Sequence, residues 1–365
     1  MGIFSRKPAT VEAQYAPQVM GENIFSLNTA IMPRISRKEA MTVPSIARAR
    51  NLICGTIASI PLEYYNKKTG EVIAPPRWIS QLSKSQPSFV TMAWIVDSLL
   101  MYGVAYLLVE ERYAEDGRPA SFEWMANSRV TFTTDINGIM ITQYYVDGAP
   151  IAMSDIITIQ GFDEGILERG ARTIKAAVDV ELAAATNSAN PQPAGFLKNS
   201  GADLPAAEVQ GLIAAWKRAR QNNSTAYLTS TLDYNPVSFS PKDMMYNEAI
   251  QNLSTQIARL CNVPAYYLSA DQNTTMTYAN VQDERKQFFA LSLQPYMEAV
   301  SRRFSMDDIS TIGHEVKFCV GDTFLQQDPL TELAVIEKLL SLGLITTEQA
   351  MGMTDLSPNG SEGIS

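Results

Sequence analysis

Apolar residues at helical spacing predict the first helix, which begins near Pro44 and ends before Pro61. Its apolar face consists of Ile46, Ile53, Ile57 and Ile60. The run LEYYNKKTGEVI predicts a hairpin that turns at residues 68–70, and residues 89–102 predict a second apolar helix. VAYLLVEER predicts a buried strand, and residues 122–162 form short strand-like runs separated by Asn-Gly and Asp-Gly turns. The first 165 residues therefore predict a mixed α+β domain.

Two long amphipathic helices are predicted to flank a segment of different composition. The first places apolar residues at positions 171, 174, 178, 182 and 185. The second begins with the cap Ser240-Pro241, carries Leu253 and Ile257 inward, and ends before Pro264. Residues 190–238 combine Pro- and Gly-rich sequence, a short helix with a basic end, and strand segments. They therefore form an insertion between the two helices.

The rest of the chain begins with a polar loop and continues as helices and one strand. A helix from Ala279 should bend or restart at Pro295, because proline lacks the amide hydrogen that a helix needs. HEVKFCVGDTF predicts a strand, and the next helix should stop at Gly343. Thr346 and Gln349 predict a capping box for a last short helix.

Charge and cysteine usage limit the class of protein. The chain has 29 basic and 38 acidic residues, a net charge of −9 and a pI near 4.9, which is the wrong sign for tight binding of a nucleic-acid backbone. Its three cysteines are far apart and surrounded by apolar residues, which favours a reducing compartment over a disulfide framework. No apolar run approaches the roughly 20 residues that span a bilayer, and the N-terminus lacks an apolar signal region. We therefore expect a cytoplasmic protein that does not enter a membrane.

The sequence offers little for catalysis, and we predict no catalytic residue, no metal site and no cofactor. His314 is the only histidine, and it is interpreted as a turn residue with a solvent partner. No phosphate-binding glycine motif is present. Carboxylates at positions 307, 308, 322 and 328 could bind a metal, but turns and helix caps explain them better. The aromatic pairs at 266–267 and 288–289 could stack on bases, although core packing is the simpler interpretation.

Eight segments form an ordered set of motifs that covers residues 48 to 350. They are ARARNLICGTIASIPLEYY, YGVAYLLVE, DIITIQG, PAGFLKNS, LDYNPVSFSPKDMMYNE, IARLCNVPAYYLS, TYANVQDERKQFFALSLQP and GLITTEQA. Each motif alone is weak, but together and in this order they resemble the HK97-type portal proteins of tailed bacteriophages. One departure is Cys261-Asn262, which stands where this family more often has an aromatic-Gly pair before Val-Pro.

The resemblance implies an α+β portal fold with a defined order of parts. These would be a flexible segment 1–40, a wing 41–167, a stem helix 168–189, a clip 190–238, a second stem helix 239–265, a tunnel loop 266–278, a second wing part 279–324, and a crown and tail 325–365. The stem would pack through Ile174, Val178, Leu182, Leu253 and Ile257. The clip would dock partners through Lys198, Lys217, Arg218 and Arg220. The tunnel loop would meet DNA with Asp271, Gln272, Asn273, Thr274, Thr275, Met276 and Thr277.

The implied function is a ring, typically dodecameric, at one vertex of the capsid, assembled in the host cytoplasm. Its implied partners are further copies of the chain, the terminase large subunit, the head-tail connector, the major capsid and scaffold proteins, and double-stranded DNA. A loop without Lys or Arg would hold phosphates weakly, which suits DNA that must move. Two alternatives stay open: a metal-dependent nucleic-acid-processing enzyme that uses Asp and Glu, and a capsid or connector protein without a DNA-width channel. A dodecamer would have a mass of about half a megadalton, whereas the enzyme would be a monomer or dimer.

Overall fold

The computed structural model describes most of the chain between residues 35 and 351. The described residues are 10–12, 35–135, 138, 140–189, 195–199, 201, 204–221, 232–236, 246–268, 285–320, 329–347 and 350–351. Their α-helices are α1 Arg37–Ala40, α2 Pro44–Ser59, α3 Arg77–Ser80, α4 Ser88–Tyr102, α5 Ile166–Arg169, α6 Ala171–Ala189, α7 Ala206–Gln221, α8 Tyr246–Leu260, α9 Gln294–Phe304 and α10 Pro329–Ser341. The strands are β1 Thr10–Glu12, β2 Leu62–Asn66, β3 Val104–Arg112, β4 Pro119–Met125, β5 Val130–Thr134, β6 Ile141–Val146, β7 Ala149–Ile151, β8 Ile156–Gln160, β9 Gly195–Asn199, β10 Leu232–Pro236 and β11 His314–Phe318. Short 3₁₀ helices lie at Asn127–Arg129 and Ala265–Leu268, and a π-helix lies at Phe289–Leu293.

The chain divides into two compact units. The first unit contains residues 1–17, 51–164 and 275–365, and the second contains residues 18–50 and 165–274. The boundary between them falls within α2. All strand pairs in the described residues are antiparallel, in sheets ordered β1-β5-β6-β7, β4-β3-β8, β2-β11 and β9-β10. This mixture of helices with small open sheets confirms the α+β prediction.

The described residues of the first unit include two hydrophobic clusters. The inner faces of the three-stranded and four-stranded sheets form one of them, with Tyr106 on β3, Phe132 on β5 and Tyr144 on β6 among its buried members. In the other cluster, Trp78 lies 5.8 Å from Phe122 and 5.2 Å from Phe304, measured between ring centroids. Because these three aromatic residues come from α3, β4 and α9, the second cluster joins segments that are distant in sequence.

A close backbone approach follows α4 in the first unit. Gly103 caps this helix in the left-handed conformation with φ 70°, and its carbonyl accepts a 2.7 Å hydrogen bond from the amide of Gly161. A Cβ atom at position 103 would lie 2.2 Å from the carbonyl oxygen of Asp163. Only glycine therefore fits here, because both the backbone conformation and the space exclude a side chain.

Helices α2, α9 and α10 follow the sequence pattern closely. The four isoleucines predicted on α2 are at most 3% exposed. The restart at Pro295 is also observed: the amide of Gln294 bonds the carbonyl of Phe289 in π-helical spacing, and α9 then begins with proline in its first turn. A widened turn accommodates the missing proline amide and the clash of its ring with the preceding turn. Gly343, with φ 69°, ends α10 in a Schellman motif as predicted.

The predicted hairpin after β2 is present but short. The chain turns at residues 67–70, and two backbone hydrogen bonds flank a bridge between Tyr65 and Val72. Pro75 and Pro76 follow this bridge and have no amide hydrogen to extend it. Strand β11, by contrast, pairs with β2 along its whole length.

Regular structure is also described within residues 1–40, the segment predicted to be flexible. Strand β1 pairs with β5, and Ser36 and Glu39 form a reciprocal capping box on α1.

Candidate functional site

Helices α6 and α8 pack together in the second unit, and they carry the residues predicted to form the stem. Ile174 on α6 and Ile257 on α8 are completely buried. Val178 and Leu253 are half-buried, whereas Leu182 is 64% exposed. The apolar stripe of α6 therefore extends beyond the part that the described chain covers.

A carboxylate lies at the edge of this helix pair. Glu181 on α6 lines a shallow recess together with Ser45, Ala177, Leu253 and Ser254. Partial burial raises the pKa of its carboxyl above the ordinary value. One turn earlier, Lys175 and Asp179 form an exposed ion pair with 2.8 Å between nitrogen and oxygen. The second unit therefore has a carboxylate that is better accommodated when it is neutral.

The end of α8 explains the departure at Cys261-Asn262. Asn262 adopts the left-handed conformation with φ 54°. Its amide bonds the carbonyl of Arg259 at 3.1 Å, and the amide of Val263 bonds the carbonyl of Ala258 at 2.8 Å, which completes a Schellman motif. Asparagine is the residue after glycine that most readily adopts this conformation. Asn262 therefore performs the backbone role that glycine commonly performs at the end of a helix.

Residues from two other elements contact the same end of α8. A Cβ atom at Gly170 would lie 2.2 Å from a methyl carbon of Leu260, so glycine allows the turn between α5 and α6 to approach closely. Arg169 donates a 2.9 Å hydrogen bond to the carbonyl of Leu260, and Arg48 of α2 donates one to the carbonyl of Tyr267. Sequence reasoning did not find these arginines, because a hydrogen bond between distant segments has no local signal.

The segment between these carbonyls is short and well packed. Cys261 and Val263 are 2% and 4% exposed, and burial raises the pKa of the Cys261 thiol to about 12 although Arg169 acts in the opposite direction. The rings of Tyr266 and Tyr267 contact each other with centroids 4.4 Å apart. The predicted DNA-facing residues 271–277 lie outside the described residues. The structure therefore describes the base of that segment, up to Leu268.

The predicted clip contains a two-stranded sheet and a helix. Lys198 on β9 is exposed and stands directly opposite Asp233 on β10. Arg218 is exposed near the end of α7. For Lys217 and Arg220 the structure describes the backbone and not the side chain. The described basic side chains are therefore accessible to solvent in the single chain.

Of the residues considered for catalysis, metal binding or base stacking, His314, Asp308 and Phe288 contact other side chains or are buried. His314 packs its ring 5.2 Å from Tyr64, rather than facing solvent only. Asp308 is held by both guanidinium nitrogens of Arg303 at 2.8 Å, and Phe288 is buried. Within the described residues there is no group of three or more potential metal ligands, and the described cysteines form no disulfide bond. None of the helices in this part of the chain has the length and apolar character needed to cross a membrane.

Comparisons with known proteins agree with this architecture. The model of the phage portal protein family matches residues 44–354. A probable portal protein of Streptomyces phage phiC31 is 20% identical over 374 aligned positions, covering 89% of this chain and 77% of the relative. The crystal structure of an HK97 family phage portal protein from Corynebacterium diphtheriae aligns with a TM-score of 0.64 at 23% identity, covering 83% of this chain and 98% of that one. A chain from the neck of an empty GTA particle aligns with a TM-score of 0.58 at 18% identity, covering 90% of this chain and 96% of that one.

Proposed function

The chain belongs to the phage portal protein family, and we propose that it forms a dodecameric ring at one capsid vertex. Double-stranded DNA passes through this ring during packaging and again when it leaves the capsid. The terminase large subunit and the head-tail connector dock on the ring, and the major capsid and scaffold proteins surround it. The ring has no enzymatic activity of its own, since the terminase supplies the energy for DNA movement.

The observation that carries the ring proposal is the uncovered apolar stripe on α6. Ile174 is buried within its own chain, but Leu182, two turns further along the same stripe, is 64% exposed. Burial of a leucine side chain contributes about 1.5–3 kcal/mol when it is complete. A neighbouring copy that covers Leu182 would gain part of this energy at every interface of the ring.

A second apolar surface supports the same proposal. Helix α10 and the turn after it expose Leu333, Val335, Leu340, Leu342 and Leu344. Adjacent exposed apolar residues of this kind commonly mark surfaces that contact another protein. In a ring, a neighbouring copy of the chain could pack against these residues.

The role in DNA passage rests on charge. The chain has a net charge of −9, and residues 272–277 contain no charged side chain. Each phosphate contact by Lys or Arg adds a salt-dependent attraction that must be broken before DNA can advance. We therefore assign residues 271–277 to the DNA-facing surface of the channel, where hydrogen-bonding groups without positive charge allow movement.

Substitution of Leu182 by Asp tests ring formation. Because Leu182 is mostly exposed in the single chain, the variant should keep the secondary structure and thermal stability of the wild type. We expect native mass spectrometry to show loss of the species of about half a megadalton that a dodecamer of 40.2 kDa chains forms. Leu182→Met is the matched control and should keep the ring, since it preserves apolar character. Rings of unchanged stability from Leu182→Asp would contradict the assignment of this α6 face to a subunit interface.

The combined substitution Thr274→Lys and Thr275→Lys tests DNA passage. These residues should tolerate substitution without loss of assembly, and the added charges should slow packaging most at low salt, because phosphate binding weakens as salt rises. Thr274→Ser and Thr275→Ser together are the control, since they add no charge. Packaging at the wild-type rate at every salt concentration would show that residues 274 and 275 do not contact DNA.

A further inference from the structure

Two arginines hold the short segment Leu260–Leu268 near both of its ends. Arg169 of α5 donates a 2.9 Å hydrogen bond to the carbonyl of Leu260, and Arg48 of α2 donates one to the carbonyl of Tyr267. The partners are 91 and 219 positions apart in the sequence. We call this pair, Arg48 and Arg169, the arginine clasp.

The carbonyls that the clasp binds lie at the C-terminal ends of two successive helical segments. Leu260 is the last residue of α8, and Tyr267 lies in the last turn of the 3₁₀ helix Ala265–Leu268. Carbonyls at helix C-termini lack partners within the helix and carry partial negative charge, so a cation stabilises them. Hydrogen bonds from a guanidinium are also stronger than those between neutral groups. Each arginine of the clasp therefore places a cation and a charge-assisted hydrogen bond at the C-terminal end of one helical segment.

Little freedom remains in the backbone between the two carbonyls. The Schellman motif fixes Asn262 in the left-handed conformation, and the ring of Pro264 fixes its own φ angle. Cys261 and Val263 are buried, which anchors the first half of the segment. Fixing the carbonyl of Tyr267 in addition sets both the position and the direction of the chain at Leu268.

We propose that Arg48 and Arg169 are positioning residues for the DNA-facing segment of the channel. By holding Leu260–Leu268 they determine where the chain begins its path to residues 271–277. This role rests on the proposed function, in which those residues face DNA. The arginines act through the backbone and make no contact with DNA themselves.

The Cys261 thiol provides a direct measure of the clasp. We expect pulse labelling with a maleimide, quantified for each cysteine by mass spectrometry, to modify Cys261 about tenfold faster in Arg48→Ala, the factor expected for loss of one hydrogen bond to a charged group. Arg48→Lys, which keeps one cationic donor, should fall between the variant and the wild type. Cys54, which is also buried, is the internal control and should label at the wild-type rate. Wild-type labelling of Cys261 in Arg48→Ala would overturn the clasp.

Arg172→Ala is the matched control variant, because Arg172 is an exposed arginine on the first turn of α6. It should change neither labelling nor packaging. Arg169→Ala should also accelerate labelling of Cys261, even though removing this cation raises the thiol pKa and by itself slows the reaction. Slower labelling in Arg169→Ala would show that Arg169 acts only on the thiol and would remove it from the clasp.

The functional measurement uses rings of the full chain with capsids and terminase. Arg48→Ala should form rings normally yet package DNA several-fold more slowly, by a factor that does not depend on salt, because its defect is one of position and not of charge. Faster labelling of Cys261 combined with wild-type packaging would overturn the positioning role. If Thr274→Lys with Thr275→Lys also packages normally at every salt concentration, the proposed DNA-facing role of the loop fails instead, and the labelling result still decides whether the clasp exists.

Discussion

Substitution of Asn262 tests the left-handed end of α8. The residue has φ 54°, its amide and that of Val263 close the Schellman motif, and its side chain is exposed. The left-handed conformation costs an ordinary L-residue about 1–2 kcal/mol, and a β-branched residue lies at the upper end because its side chain crowds the backbone. We therefore expect Asn262→Val to lower the free energy of unfolding of the second unit by about 2 kcal/mol.

Asn262→Gly separates the backbone effect from the side chain. Glycine adopts positive φ without steric cost, but it also loses more conformational entropy on folding, so we expect its stability to lie within about 1 kcal/mol of the wild type. If Asn262→Gly lost as much stability as Asn262→Val, the asparagine side chain and not its φ angle would be the cause.

Urea unfolding followed by circular dichroism measures these differences. The matched control is Asn247→Val, an exposed asparagine within α8, where the two residue types have similar helix propensities. The two valine variants should differ by about 2 kcal/mol, which corresponds to roughly 4–8 °C in melting temperature for a unit of about 150 residues. Equal stability of the two valine variants would refute the argument from backbone conformation.

Further predictions concern the Gly103 turn, the Glu181 carboxylate on α6 and the predicted clip. Gly103→Ala should cost about 3 kcal/mol or more in thermal unfolding, because the new Cβ meets backbone, whereas Gly55→Ala in the middle of α2 has open space and should stabilise by about 0.5–1 kcal/mol. Since burial raises the pKa of Glu181, the folded state binds its proton more tightly than the unfolded state, and stability falls as pH rises through this titration. Glu181→Gln should therefore be more stable than the wild type at pH 7, with the gain disappearing in urea titrations below the ordinary glutamate pKa. Changing Lys217, Arg218 and Arg220 together to Glu should keep the ring but weaken terminase binding in a pull-down, and unchanged binding would assign this helix end to solvent.

Local signals in the sequence predicted the helices well. Isoleucine spacing located the buried face of α2, Pro295 located the restart of the helix before α9, and Gly343 located the end of α10. In each case the determining interaction lies within a few residues of the signal. Apolar periodicity, the missing amide hydrogen of proline and the conformational freedom of glycine all act over this range. A single sequence is therefore sufficient to predict these helix boundaries.

Interactions between distant segments were not predictable in the same way. The partner of β2 is β11, about 250 positions later, and both strands have ordinary strand sequences that do not specify each other. The arginine clasp is even more difficult to predict, because in the sequence an arginine that binds a distant carbonyl cannot be distinguished from any exposed arginine. The apolar stripe on α6 is predicted as one packed face, but the described chain buries only part of it. Periodicity shows which residues of a helix are apolar, but it does not show whether they pack within the same chain or against another one.

The clasp and the composition of the following segment lead to a joint expectation for DNA affinity. Arg48 and Arg169 each direct a guanidinium at a backbone carbonyl, which leaves fewer of their donors for phosphate. Residues 272–277 add hydrogen-bonding groups but no cation. If this region binds DNA only weakly, removal of the Arg48 side chain should change neither the affinity of the ring for DNA nor the salt dependence of that affinity. Packaging should nevertheless become slower. An Arg48→Ala ring with a clearly smaller salt dependence of DNA binding would instead place this guanidinium on a phosphate, and the arginine would then hold the DNA and not the chain.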